Sequence, residues 1–345
     1  MIKRFPIIVF TGEPFERGRQ HGTVFASLIR DKLAALGIGH ATSAALLRQH
    51  QTHAQNCWRN LDCLAPDIKR EMEGIAAGCD VSAPDIFMLN SFEFFPHRLQ
   101  TGCSSLAIAA PKRAIIGQNW DAAPGTAEGL TLMIHRDGNE KFALVSSPGM
   151  LGWVGVNQHG LGFVTNDLMT DMATVGMPSL IARRLILGYK SIADAVRLLG
   201  ASPHLSGRCY LLTDASLRVV GAELSPAGGL ALIDQDRILH TNHPLTAQIS
   251  AVEDRALSNA IYPSSRSRLE VLSCNRNQLT RVGDFETVLA SRDGAPDAVC
   301  KSLSAREQTE TAFSIVYDVT ARNVRLCLGR PDQSQYYSFA LSSLI

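Results

Sequence analysis

The feature that most constrains this chain is the change of texture at Gly102–Cys103, inside "TGCSSLAIAAPKRAIIGQNWD" (101–121). From Cys103 onward, apolar and β-branched runs of strand length alternate with short turn-forming clusters. "CSSLAIAA", "PKR" and "AIIGQNWD" read as one hairpin, "LTLMIHR", "DGNE" and "KFALVSS" as a second, and "WVGV", "NQHG" and "LGFVTND" as a third. Three hairpins in succession commit the chain to antiparallel sheet. Before Gly102 the spacing is different. "GTVFASLIRDKLAALGIG" and "LAPDIKREMEGIAAGCDV" repeat apolar residues every three or four positions, which predicts helices. In "SAPDIFMLNSFEFF", Ser82 with Asp85 three residues on and Pro84 between them predicts a further helix start.

Beyond the third hairpin, "SLIARRLILGYKSIADAVRLLGA" carries a long helical apolar stripe. Alternating segments resume in "CYLLTDASLRVVGAELS" and "LALIDQDRILHTNHP", helical ones in "SSRSRLEVLSC" and "DFETVLASR". "TAFSIVYD", "VTAR" and "NVRLCLGRP" form a last hairpin before the closing strand "YYSFALSSL". Strand runs separated by paired helices predict an α+β fold of antiparallel sheets covered by helices. Length allows two domains or one; no charged linker, low-complexity tract or repeat divides the chain. The expected organisation is one structural domain with a mostly helical segment 1–102 and a sheet-rich segment 103–345.

The 345 residues carry a formal net charge of +1, and no block of five or six Lys/Arg occurs. Nucleic acid and anionic membrane are therefore not expected partners. No apolar run is long enough to span a bilayer. "MIKRFPIIVF" lacks a full apolar signal core and a small-residue cleavage site, so the expected compartment is the cytoplasm. Eight cysteines are scattered with no CxxC pair, and the Cys57–Cys63 separation is not that of zinc ligands. His50 and His53 lack a third ligand nearby and read as solvated helix residues. Most of the cysteines are expected reduced and buried.

Cys103 has two readings: an apolar core residue after a loop glycine, or a nucleophile that must first be cut free. If the Gly102–Cys103 bond is cut, Cys103 carries an α-amine and a thiol on one residue. An α-amine titrates near 7.7–8.0 and a free thiol near 8.5, so close to neutral pH the amine can take the thiol's proton. In the uncut chain that nitrogen is an amide and cannot; cleavage is then activation. Gly102, without a Cβ, allows the thiol to approach the preceding carbonyl. The second strand of the hairpin returns Asn119, Trp120 and Asp121 beside Cys103, and Asp121 can orient the amine. In "HTNHP" an exposed Asn242 can donate to a developing oxyanion. Asp121 as a turn former and Asn242 as a loop residue are the plain alternatives. His240 and His243 flank Asn242, but a histidine base is unnecessary if the amine serves.

Together these blocks resemble the acyl-coenzyme A:6-aminopenicillanic acid acyltransferase-like family of N-terminal-nucleophile cysteine hydrolases. The resemblance is carried by "GEPFERGRQHG" (12–22), "TGCSSLA" (101–107), "GQNWD" (117–121) and "GMLGWVGVNQHGLGFVTNDL" (149–168). It continues through "MPSLIARRLIL" (177–187), "HTNHPL" (240–245) and "TAFSIVYDVTARNVRLCLGRPD" (311–332). It implies a four-layer αββα sandwich made as a precursor that cleaves itself at Gly102/Cys103, the two fragments staying associated as a heterodimer. It also implies Cys103 as nucleophile, Asp121 on its amine and Asn242 in the oxyanion hole. Asn119 and Trp120 support them, and the backbone N–H near Asp121 is a further donor. "NWD" also resembles the bile-salt and penicillin V hydrolases, which often carry arginine where Gln118 stands, so a cationic contact there is in doubt.

The expected reaction is cleavage of a small N-acyl amide or thioester through an acyl group on Cys103, hydrolysis being favoured over transfer. The alternative is an acyl-CoA-dependent N-acyltransferase of the 6-aminopenicillanic acid type, with acyl-CoA as a substrate. A non-catalytic binding protein on the same fold is the reading from another class. No metal or redox cofactor is expected.

Overall fold

The computed structural model describes residues 5–39, 46–95, 101–138 and 140–345. Strand β1 (Ile7–Thr11) opens it, followed by helices α1 (Pro14–Val24), α2 (Ala26–Ala35), α3 (Leu46–Leu64), α4 (Pro66–Cys79) and α5 (Ala83–Leu89). Prolines open α1 and α4, where a missing N–H costs nothing. The Ser82 hydroxyl accepts from the Asp85 N–H at 3.3 Å to start α5, as its spacing predicts. Helices α1 and α4 pack backbone against backbone. A Cβ on Gly22 would stand 2.1 Å from the Ile75 carbonyl oxygen, and one on Gly78 2.2 Å from that of Arg19.

The hairpins follow: β2 (Gly102–Ala110) with β3 (Arg113–Ala122), β4 (Thr131–Arg136) with β5 (Lys141–Ser146), and β6 (Val154–Asn157) with β7 (Gly162–Asp167). Helices α6 (Ser179–Ile186) and α7 (Ile192–Ala201) divide the long apolar stripe, because Ser191 caps a new helix by accepting from the Asp194 N–H. Then come β8 (Arg208–Thr213), β9 (Val219–Ser225), β10 (Gly229–Ile233) and β11 (Arg237–His240). Helices α8 (Ala247–Ser250), α9 (Arg255–Ile261), α10 (Ser265–Cys274) and α11 (Val282–Leu289) precede β12 (Glu310–Asp318) and β13 (Asn323–Leu328). Strand β14 (Tyr336–Ala340) and the single turn α12 (Leu341–Leu344) close the chain.

Two sheets result. One has the order β1-β4-β5-β6-β7-β8-β9-β10, the other β11-β2-β3-β12-β13-β14. They pack face to face, β2 and β3 against β7 and β8. Helices α10 and α11 cover the outer face of the six-stranded sheet, where Leu272, Phe285 and Leu289 meet Leu106, Ile108 and Ile115. The other helical layer lies on the eight-stranded sheet, with the Arg184 guanidinium of α6 stacked 3.8 Å over the Phe142 ring of β5. This is the expected α+β, four-layer αββα sandwich. Central strands buried on both faces read as continuous apolar runs rather than clean alternation.

Three details lie beyond the sequence reading. The "LALIDQDRILH" segment divides between the sheets: β10 edges one and β11 edges the other, pairing Ile238 with Ala107 of β2. Strand β1 falls within the helical segment and pairs with β4 in parallel, an exception to antiparallel pairing. The closing "YYSFALSSL" is a strand only through Ala340 before it turns helical.

A buried ion cluster ties the helical segment to the sheet. Glu71 of α4 accepts from Arg17 of α1 at 3.2 Å and from Arg184 at 2.9 Å, and His135 of β4 lies 3.8 Å away. Arg17 also holds Asp137 at 2.6 Å. Burial alone would raise the Glu71 carboxyl, but Arg184, His135 and Arg17 outweigh it and hold it well below the usual range. Nearby, His21 accepts from the Gly149 N–H at 2.9 Å, and Asn90 bonds both the Gly149 carbonyl and the Leu151 N–H. These bonds join "GRQHG" to "GMLGW".

Candidate active site

Strand alternation assigns the groups around Cys103 to two sides of one sheet. Cys103 pairs with Trp120 across the β2–β3 ladder, and their side chains share the face that looks toward the eight-stranded sheet. There the thiol opens into a small pocket walled by Phe92, Trp120, Trp153 and Thr165. Asp167 and Arg183 close its polar side. Trp120 and Trp153 stack with ring centroids 4.6 Å apart, so this wall is rigid and aromatic.

Asp121 lies on the opposite face. It pairs in register with Gly102, and a Cβ built on Gly102 would stand 3.0 Å from Asp121 Oδ2 and 3.5 Å from Lys301 Nζ. Asp121 Oδ1 accepts from the Thr311 hydroxyl at 2.7 Å, while the buried Oδ2 has no hydrogen-bond partner. Burial pushes this carboxyl up, opposed by Lys301, Arg268 and the Thr311 bond. Asp121 thus faces the backbone around the Gly102–Cys103 bond rather than the thiol.

Asn242 follows β11 and meets the same backbone. Its Oδ1 accepts from the Cys103 N–H at 2.9 Å, and its Nδ2 donates to the Asp167 carbonyl at 3.1 Å. The side chain is wholly buried, not exposed as the sequence suggested. The reason is tertiary: α10 folds over the loop, and Ser265 accepts from the Asn242 N–H at 2.8 Å. Asn119, expected as a supporting residue beside Cys103, points the other way and donates to the Leu289 and Val299 carbonyls at 2.7 and 3.0 Å. Gln118 faces inward and donates to the Thr165 carbonyl of β7, so a neutral amide holds that position. His240 bonds Glu223 and the Thr241 carbonyl, and His243 bonds Ser265. His53 is half-buried on α3; the His50 side chain lies outside the described residues.

Several residues near Cys103 gave no sequence signal. Arg268, in the basic stretch "SSRSRLEVL", is fully buried and donates to the Cys103 carbonyl at 2.6 Å, the Ser104 hydroxyl at 2.9 Å and Asn242 Oδ1 at 2.9 Å. Asn166 donates to the same carbonyl at 3.2 Å. Asp167 faces Arg208 at 3.1 Å and Arg183 at 3.6 Å, and accepts from Thr101 at 3.2 Å. Burial first, then Asp167 and Asp121, push the Cys103 thiol well above its ordinary value, with Arg183 and Arg268 opposing. Lys301, paired to Glu307 at 2.7 Å, is a buried ammonium beside Gly102.

Among the described residues, no group of three or more His, Cys, Asp or Glu could hold a metal ion. Nor is any helix there long and apolar enough to cross a membrane.

Two face-packed sheets between helical layers, with a cysteine at the start of a central strand and its thiol between the sheets, define the class: an N-terminal-nucleophile hydrolase fold. A family model described as acyl-coenzyme A:6-aminopenicillanic acid acyl-transferase matches residues 108–333, and the chain belongs to that family. The match begins after Cys103, so membership does not rest on the cysteine. The chain is 27% identical over 338 residues to the acyl-coenzyme A:6-aminopenicillanic-acid-acyltransferase 40 kDa form of Emericella nidulans, covering 93% of this chain and 92% of that one. It is 21% identical over 368 residues to the beta-alanyl-dopamine/carcinine hydrolase of Drosophila melanogaster, covering 96% and 94%. Among solved structures, a conjugated bile acid hydrolase from Clostridium perfringens superposes with TM-score 0.46 at 9% identity, over 70% of this chain and 93% of that one. Penicillin V acylase from Agrobacterium tumefaciens does so with TM-score 0.39 at 11% identity, over 70% and 86%.

Proposed function

We propose that this protein is a self-processing amidohydrolase whose working nucleophile is Cys103, freed by cleavage after Gly102. The observation that carries the reading is the placement of Cys103 itself. Its thiol lines an inter-sheet pocket, while its backbone nitrogen lies buried, 2.9 Å from Asn242 Oδ1, with Asp121's unpartnered oxygen near the adjoining Gly102. Those are the two groups a free-amine mechanism must bring together.

In the first step the Cys103 sulfur attacks the Gly102 carbonyl carbon. The C–N bond breaks, the nitrogen leaves with a proton as the α-amine, and Gly102 is left as a thioester. Water hydrolyses the thioester, giving a Gly102 carboxylate and a free thiol. In the mature protein the amine takes the thiol proton, and the thiolate attacks the substrate carbonyl. The amine half of the substrate leaves with that proton, and the acyl group stays on sulfur until water removes it. Asp121 stabilises the charged amine. Asn242 Oδ1 orients that amine and its Nδ2 group serves the oxyanion, one N–H held by the Asp167 carbonyl and the other offered to the substrate. The substrate is a small acyl amide or thioester, no metal or redox cofactor takes part, and the two fragments remain one particle.

Intact mass tests the reading. Wild type yields two fragments, the longer beginning at Cys103, whereas Cys103→Ala remains a single chain. Wild type that stays uncut and still turns over substrate would sink the free-amine mechanism. Acyl transfer is the second reading, favoured by the nearly full-length likeness to the Emericella acyltransferase. Water is present at roughly 55 M, so a bound amine wins only by a large effective molarity. New amide dominating over free acid at millimolar 6-aminopenicillanic acid would establish transfer.

A further inference from the structure

Arg183 has no role in the steps above, yet it shares the walls of the Cys103 pocket. Its side chain is 4% exposed, and the guanidinium is poorly satisfied. Nε has no hydrogen-bond partner, Nη1 reaches the Trp153 carbonyl only at 3.5 Å, and Nη2 is 3.6 Å from Asp167. A buried guanidinium presents five donors, and leaving them unmatched is costly. Asp167 does not depend on Arg183 alone, because Arg208 faces the same carboxylate at 3.1 Å. The guanidinium therefore has donor capacity to spare at a pocket lined also by the rings of Phe92, Trp120 and Trp153 and by the polar side chains of Thr101, Thr165 and Asp167. A planar fork of donors beside these aromatic rings matches a carboxylate.

We propose that Arg183 is a specificity residue that receives a carboxylate carried by the substrate close to its scissile carbonyl. The inference rests on the Cys103 acyl-enzyme reading and adds the substrate class to it. The carboxylate can come from the amine half, as in an N-acyl amino acid, or from the acyl half, as in a dicarboxylic acid monoamide; the chemistry that Arg183 recognises is the same.

Two matched pairs of probes distinguish these sources. N-phenylacetylglycine is compared with N-phenylacetylmethylamine, and N-methylglutaramic acid with N-methylpentanamide. In wild type, at least one acid is expected to exceed its neutral partner in kcat/KM by about 10- to 100-fold, the range of a charge-assisted hydrogen bond. The acid-to-neutral ratio should collapse in Arg183→Leu and recover in part in Arg183→Lys. The proposal is overturned if neither acid is preferred in wild type, a comparison that needs no variant to fold. It is equally overturned if the preference persists in Arg183→Leu. The mass of the Cys103 fragment separates the two levels of failure. If neutral probes acylate Cys103 as fast as the acids, the reaction stands and only the role of Arg183 falls. If no probe acylates Cys103, the reaction itself is wrong and this inference falls with it.

Discussion

At Gly102 the space on the Asp121 side is too tight for a methyl group without movement, 3.0 Å from Oδ2. Gly102→Ala should therefore slow self-cleavage, read as the uncut fraction by intact mass over time. Cleavage at the wild-type rate would remove close approach at Gly102 from the mechanism. Asp121→Asn keeps the shape but loses the charge that, in the proposed mechanism, stabilises the Cys103 ammonium, so both processing and turnover should fall. Normal values for both would take Asp121 out of the chemistry. Asn242→Ala should lower turnover by about 100- to 1000-fold, as oxyanion donors do. Because Asn242 is wholly buried and bonded on both sides, it should also lose about 1–3 kcal/mol of stability in denaturant titration. An unchanged turnover number would dismiss it. Hairpin register alone returns Asp121 to the neighbourhood of Cys103, whereas the choice of Asn242 was implied by the family resemblance, its local signal being only an Asn ahead of a proline. Arg268 and Arg183 could not be picked out: in "SSRSRLEVL" and "SLIARRLIL" nothing distinguishes a solvated arginine from a buried one.

Between elements, the α1–α4 crossing sets backbone against backbone, and its glycines allow no side chain. Gly22→Val or Gly78→Val would drive a Cβ to within about 2 Å of a carbonyl oxygen and force the helices apart. A loss of 3 kcal/mol or more is expected, in the range of severe overpacking, measured by chemical unfolding of the purified protein. A loss below about 1 kcal/mol would mean the two helices separate at little cost. The helical pattern of α1 and α4 is plain in the sequence, but this contact is not. A glycine inside a helical pattern reads locally only as a weak helix former.

For the molecule as a whole, the buried histidines and Glu71 are expected to shape the pH dependence of stability. Burial lowers His21 from 6.5 to about 4. Its contribution is complete above pH 6.5 and is lost as pH falls toward 4, on the order of 3 kcal/mol. Glu71, held low by its cations, loses stabilisation in the same direction. For His240, burial is outweighed by Cys209 and Glu223, which raise it to about 10; its contribution is complete below pH 6.5 and lost as pH rises. The melting temperature should peak near pH 6.5, and His21→Gln should flatten the acid limb; an unchanged acid limb would contradict the assignment. The fragments of the proposed cleavage should co-elute and part only in denaturant, since β1 pairs with β4 and Glu71 with Arg184 on opposite sides of Gly102–Cys103; separation in native buffer would refute this. What the sequence determined by itself was local: the hairpins, the helices, the cap at Ser82 and the hairpin that returns Asp121 to the neighbourhood of Cys103, all set by spacings of a few residues. Tertiary structure decided which sheet β10 and β11 join, which arginines lose water, and which way Asn242 faces. Those outcomes depend on contacts between segments far apart in the chain, which no local period records.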